Sequence, residues 1–269
     1  MTKLKDLANA HPVWFTLFII ITWFLVAVIG AGVFTLVSRS SFYDYGHQSF
    51  GSLVATLYIL FIAWQFGWLR ASGIANLGRW DAWLIALVLF VYLFIVYSYS
   101  FFGEVSFEIN NLFSIETSRS IIWRQLVVGV VEEVLFRGVI LYALVRVWGG
   151  TWRGLSGAVL LSAFLFGILH LLQVFAGLSF NLALVAALES TISGIWWGAF
   201  VLLAGTIWPI VAIHAGSNML VQIQALSYSG LVLSLEGYAL VIFFQIPIVV
   251  LALYLLNRKI PRPVFPHVP

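Results

Sequence analysis

Two adjacent acids, an arginine, two histidines and an amide stand where an apolar chain has little reason to carry them. Glu132, Glu133 and Arg137 lie in one hydrophobic stretch, His170 in the next, and His214 with Asn218 in a third. In lipid an ionisable residue at the centre of a helix costs on the order of 2.5–3.5 kcal/mol, so each of them needs a partner or a task. Glu133 and Arg137 are four apart, share a helix face and can pair. Glu132 points about 100° away and must find its partner on another helix or in a wet cavity. His214 and Asn218 are also four apart and share a face, with the small Ala215 and Gly216 between them.

A carboxylate and two histidines that converge allow hydrolysis by two routes. In one, Glu132, His170 and His214 bind a zinc ion that acidifies water and polarises a carbonyl. In the other there is no metal, Glu132 is the general base, and the histidines orient water or move protons. Asn218 can donate to an oxyanion in either case. Spacing alone leaves both open. The His-Glu-x-x-His pattern of soluble zinc peptidases is absent, as is a Gly-x-Ser-x-Gly elbow. The chain has no cysteine, which excludes thiolate chemistry and disulfides.

These residues need a membrane scaffold to position them. Of the 269 residues, 62% are hydrophobic and 9% charged, against about 25% charged in a soluble domain. A span needs roughly 20 apolar residues, and eight such stretches are legible, at about 13–37, 50–69, 82–102, 121–145, 155–175, 181–203, 209–228 and 237–256. The expected fold is therefore all-α, a polytopic helical bundle of about eight transmembrane helices. Residues 1–12 form a cytoplasmic N-terminus, 13–117 the first three helices, 118–228 a core of helices four to seven, 229–257 the last helix and 258–269 a proline-broken cytoplasmic tail. The first stretch follows Lys3 and Lys5 like a signal peptide, but Val37-Ser38-Arg39 offers no small-x-small cleavage site, so it reads as a retained anchor.

With the N-terminus inside, nine of the thirteen basic residues face the cytoplasm and three (Arg39, Arg119 and Arg124) face out, Arg137 being intramembrane. That bias satisfies the positive-inside rule. The formal charge of +3 and the absence of a Lys/Arg run exclude a nucleic-acid partner. Tryptophans at the expected helix ends, among them Trp14, Trp68, Trp80, Trp123 and Trp152, read as interfacial. Helix rise puts Glu132 and His170 about 21 and 26 Å from their cytoplasmic ends, but His214 only about 9 Å from Trp208. The three meet only if the link from Gly205 to Trp208 dips into the protein, which is permitted where backbone is buried or lines water. The cavity is expected to open to the cytoplasmic side. Glu189, with Ser193 at helical spacing, has no evident role.

The three stretches together resemble the CPBP family of membrane proteases, which includes type II CAAX prenyl endopeptidases and Abi proteins. Its pattern is matched by Glu132-Glu133-x-x-x-Arg137, Phe166-x-x-x-His170 and His214-x-x-x-Asn218, in that order and over roughly residues 118–225. The resemblance implies an integral-membrane endopeptidase with Glu132 as water-activating carboxylate, Glu133 its supporting acid, His170 and His214 as catalytic groups or zinc ligands, and Asn218 as oxyanion donor. Arg137 and Phe166 support them. It also implies a peptide or protein substrate, lipidated or not, that enters from the membrane or the cytoplasmic side, in CAAX-type or bacteriocin-related processing. In a bacterial host prenylated substrates lose their rationale. The competing readings are a non-catalytic immunity or partner protein and a proton-coupled transporter, the latter opposed by the lack of an inverted repeat.

Overall fold

A computed structural model describes residues 2–38, 45–103, 115–227 and 234–259. The short helix α1 (Thr2–Ala10) leads into α2 (Pro12–Ser38), which is followed by α3 (Tyr45–Gln65) and α4 (Trp80–Phe102). Then come α5 (Ile115–Glu133), a π-helical turn (Val134–Ile140) and α6 (Leu141–Trp148) as one interrupted rod. The rest is α7 (Trp152–Leu169) with a 3-10 continuation (His170–Ala176), α8 (Phe180–Ala204), α9 (Trp208–Ser227) and α10 (Leu235–Lys259). Among the described residues there is no strand. Each of the eight apolar stretches holds a helix, the second ending early at Gln65. Five of the helices (α2, α4, α7 with its continuation, α8 and α10) are long and apolar enough to cross a membrane. The acidic segment of Glu104 and Glu108, Arg39 and the tail from residue 260 lie outside the described residues.

Large side chains such as Leu36, Val88, Phe180 and Val250 are exposed along these helices, as a lipid-facing surface requires. The packed core instead gathers around the π-helical turn, where Val139 and Ile140 are fully buried, and around Trp196, Ile207 and Ile210. Two departures from regular helix sit at the chemically interesting residues. The π-helical turn begins directly after Glu133, and α7 gives way to 3-10 geometry at His170 rather than running on to residue 175. In the turn, the Phe136 carbonyl accepts from the Leu141 N–H and from Ser162 Oγ at 3.1 Å, which ties it to α7. Single π-helical turns recur at functional sites.

The link between α8 and α9 is buried, as a meeting of the three motifs demands. Thr206 and Ile207 are fully covered by the connection between α3 and α4. Asn76 Nδ2 donates to the Gly205 carbonyl at 2.9 Å, Thr206 Oγ1 donates to the Asn76 carbonyl, and Trp208 Nε1 donates to the Ile74 carbonyl at 2.8 Å. Gly73 and Gly78 make this fit possible. Both have positive φ, and a Cβ on either would collide with Thr206, so the contact needs glycine for both backbone and space. Trp68 belongs to this cover and not to an interface with lipid: it is 3% exposed and lies under the Arg146 guanidinium at 4.8 Å. Trp14, Trp80, Trp123 and Trp152 are exposed, as interfacial residues should be.

Close helix approach completes the frame. Gly129 of α5 faces Ala215 of α9 so tightly that a Cβ on it would lie 2.9 Å from the Ala215 Cβ. Without a hydrophobic drive between helices in lipid, such small residues set the distance. This contact is one turn from Glu132 and Glu133 on one side and one residue from His214 on the other. Replacing Gly129 by Ile is expected to destabilise the bundle by about 1–3 kcal/mol, read as a lowered unfolding midpoint in detergent, whereas Gly157→Ala, where an added Cβ meets nothing within 4 Å, does not lower the midpoint, because alanine favours a helix interior over glycine.

Candidate active site

Glu133, the last residue of α5, is 0% exposed, and its Oε1 is an acceptor for two cations or donors. Arg137 Nη1 donates to it at 3.1 Å across one helical turn, and His214 Nδ1 approaches it at 2.9 Å from α9. An ionised carboxylate oxygen already bonded by arginine has only lone pairs to offer, so Nδ1 carries the proton and donates. Nε2 of His214 then presents a lone pair, 3.6 Å from Oε2 of Glu132. That distance is too long for a hydrogen bond, so the lone pair and the carboxylate oxygen face each other as two acceptors with no proton placed between them. Glu132 keeps 27% of its side chain exposed, in contrast to its neighbour. The one residue of offset between them thus separates a sealed structural acid from an accessible one.

Arg137 is enclosed as well as paired. Its guanidinium lies 4.2 Å over the Phe166 ring and 5.0 Å over the Trp197 ring, both favourable cation–π placements. Gly194 of α8 makes the room, since a Cβ there would come within 3.2 Å of Arg137 Nη2. Phe166 packs in turn against His170, with centroids 4.8 Å apart, and against His214 at 6.1 Å. His170 Nδ1 donates to the Phe166 carbonyl at 3.1 Å, because a carbonyl can only accept. Both histidines therefore hold Nδ1–H in a structural bond and leave Nε2 free, the tautomer that second-shell bonding fixes in general bases and metal ligands alike.

Glu132, His170, His214, Asn218 and Phe166 all line one cavity of about 330 Å³. The structure thus brings together the sequence-nominated residues, and sets Glu133 and Arg137 behind them. Hydrogen-bonding capacity is left over here. Glu132 Oε2, Glu133 Oε2, Arg137 Nη2, Trp197 Nε1 and Ser217 Oγ are buried without a protein partner, which leaves them hydrogen-bonding capacity for water or substrate. For zinc, the donor types suit the ion: a carboxylate and two Nε2 lone pairs. Their placement does not. Among the described residues no three acidic, histidine or cysteine side chains are grouped closely enough to hold a metal ion.

Glu189 is the residue whose setting the sequence hid. Its Oε1 accepts from Tyr97 Oη at 2.5 Å, Ser193 Oγ at 2.7 Å and Gln245 Nε2 at 2.8 Å, and Gln245 Oε1 accepts from Trp196 Nε1 at 2.8 Å. Only Ser193 lies at helical spacing; Tyr97 and Gln245 come from α4 and α10. The fully buried Gln245 within the apolar run of α10 was the available signal, uncharged and so easily passed over. Glu189 also lines the cavity.

Residues 115–220 match the family model of type II CAAX prenyl endopeptidases, Rce1-like. The match spans less than half of the chain and is a similarity to that family over the segment that carries the three motifs. No curated protein and no solved structure matches the chain. The Rce1-like segment runs from α5 into α9 and contains all three motifs. The cluster around Glu189 is completed by Tyr97 and Gln245, which lie outside it.

Replacing Arg137 by Met leaves the Glu133 carboxylate buried without its cation, a change expected to cost about 3–5 kcal/mol. The double variant Glu133→Gln/Arg137→Met is expected to recover part of that loss. Denaturation midpoints of the purified variants check both outcomes, and a double variant no more stable than Arg137→Met would remove the charge-pair explanation.

Proposed function

We propose that this chain is an intramembrane endopeptidase in which Glu132 activates the attacking water. One observation carries the reading: Glu133 Oε1 is shared by Arg137 and His214, which sets the His214 Nε2 lone pair 3.6 Å from Glu132 on the wall of a polar cavity. The match of residues 115–220 to an endopeptidase family supports it.

The steps balance without a further reactant. Glu132 takes a proton from water as the oxygen attacks the scissile carbonyl, and negative charge moves to the carbonyl oxygen. The Asn218 amide, one turn beyond His214 in the cavity wall, donates to that oxyanion. Glu132 then passes the proton to the amide nitrogen as the C–N bond breaks, and the products are a carboxylic acid and an amine. His214 Nε2 shares the proton while it resides on Glu132, and His170 Nε2 accepts a hydrogen bond from the attacking water. Fixed groups lower the barrier because they need no reorganisation as charge develops.

Loss of a positioned general base costs typically 10²- to 10⁴-fold. Glu132→Gln is therefore expected to reduce cleavage by about that factor while the unfolding midpoint is retained. Purified protein in detergent, incubated with a mixed peptide library and read by mass spectrometry, measures it. Full cleavage by Glu132→Gln would refute the assignment. A chelator control on the same samples separates the routes: loss of cleavage, restored by zinc, would assign Glu132, His170 and His214 to a metal instead.

A further inference from the structure

The Glu189 carboxylate is bonded through one oxygen only. Tyr97 Oη, Ser193 Oγ and Gln245 Nε2 all reach Oε1, from α4, α8 and α10. Trp196 Nε1 donates to Gln245 Oε1 and so fixes which end of that amide faces the acid. The Ser193 hydroxyl also lies 2.8 Å from Gln245 Oε1, and its single proton serves either oxygen. Oε2 accepts no hydrogen bond among the described residues. Unlike Glu133 Oε2 it is not sealed, and it borders the cavity that Glu132 and His214 line.

No protein cation pairs with this acid. Glu133 has Arg137 and His214, but among the described residues no arginine, lysine or histidine lies within 4 Å of Glu189. Arg124, which shares the cavity wall from α5, is not within that distance either. Yet Glu189 is only 8% exposed. A buried carboxylate without a counter-charge is costly, and neutral donors offset only part of that cost. A metal ion does not suit the setting, because among the described residues no three acidic or histidine side chains are grouped to hold one. The surroundings are aromatic instead. Tyr97, Phe101 and Tyr238 line the cavity with Glu189, and the Phe101 ring centroid lies 6.0 Å from that of Tyr97 and 5.1 Å from that of Tyr238. A carboxylate beside aromatic rings attracts an ammonium or guanidinium, since the rings add cation–π attraction and cover its methylene stem.

The position along α8 sets the distance from the reacting atoms. Trp197 packs on His214 with centroids 4.7 Å apart. Glu189 lies eight residues earlier, about 12 Å along the helix, with Ser190 and Ser193 on the cavity wall between them. An extended peptide rises about 3.3 Å per residue, so about three residues separate a bond held at Glu132 from a side chain held at Glu189. We propose that Glu189 is a specificity residue that binds a basic side chain, lysine or arginine, of a substrate peptide about three residues from the scissile bond. Where the bond is cut rests on the endopeptidase reading; the affinity for a cation does not.

Two pools of short fluorescent peptides test this. They are identical except that each peptide carries one lysine or its uncharged isostere norleucine, at varied positions. Both are titrated by anisotropy, in the cold, onto full-length protein in neutral detergent, and the mixtures are then warmed and analysed for products by mass spectrometry. The lysine pool should bind wild type about tenfold more tightly or better. Glu189→Gln, which keeps an acceptor for Tyr97, should remove the difference. Products should place the lysine about three residues from the cut. Equal binding of the two pools by wild type, no binding of either, or a lysine preference that survives in Glu189→Gln overturns the inference. The wild-type comparison needs no variant, so a Glu189→Gln protein that fails to fold does not decide the outcome. Lysine-selective binding that depends on Glu189 but yields no products leaves the cation site standing and removes the endopeptidase reading. Products formed without any lysine preference do the reverse.

Discussion

The structure turns on a single carboxylate oxygen. Glu133 Oε1 accepts from Arg137 on its own rod and from His214 on α9, deep in a bundle whose outer surface is apolar. A buried charge is tolerated only where it is paired and hydrogen-bonded, and a buried pair by itself adds little stability compared with apolar packing. Its value here is positional. It fixes the tautomer and angle of His214, and so decides what faces Glu132. Phe166 and Trp197 close around the guanidinium, and the same Phe166 holds His170 through ring and carbonyl. The residues that do not touch the cavity thus determine how those that line it are presented.

The frame that permits this is made of small residues and irregular backbone. Gly129 lets α5 and α9 approach, and Gly194 leaves space for Arg137. The π-helical turn after Glu133 spends hydrogen bonds on Leu141 and Ser162, and the buried link before Trp208 brings His214 to the level of Glu132. Irregular backbone inside a membrane protein survives only where protein satisfies it. Here the α3–α4 connection supplies those bonds, which makes a segment with no chemistry of its own part of the support of the site.

Much of the site was legible because ionisable residues in apolar helices are costly enough to be conspicuous. Glu132, His170 and His214 stand out on that ground alone, and the four-residue spacing of Glu133 and Arg137 foretold their bond. The sequence also posed the depth problem of His214, whose solution lies in tertiary contacts from Asn76, Ile74 and Trp208 that no local pattern encodes. The same limit hid the Glu189 cluster, whose partners come from two distant helices. Eight apolar stretches were read and each holds a helix; among the described residues five have the length and apolarity to cross a membrane. In α5 to α6 the polar residues that build the site dilute that signal.

The most direct measurement is nitrogen-15 NMR of histidine-labelled protein in micelles, with the His214 signals assigned by comparison with a His214→Gln variant. The shared-oxygen arrangement requires a protonated Nδ1 in His214 and an unprotonated Nε2 facing Glu132, with the proton at Nδ1 lost or exchanging freely once Glu133 is replaced by Leu. A bare Nδ1 with the proton on Nε2, unchanged by that replacement, would contradict the account, because Glu133 would then have no hold on the histidine at all.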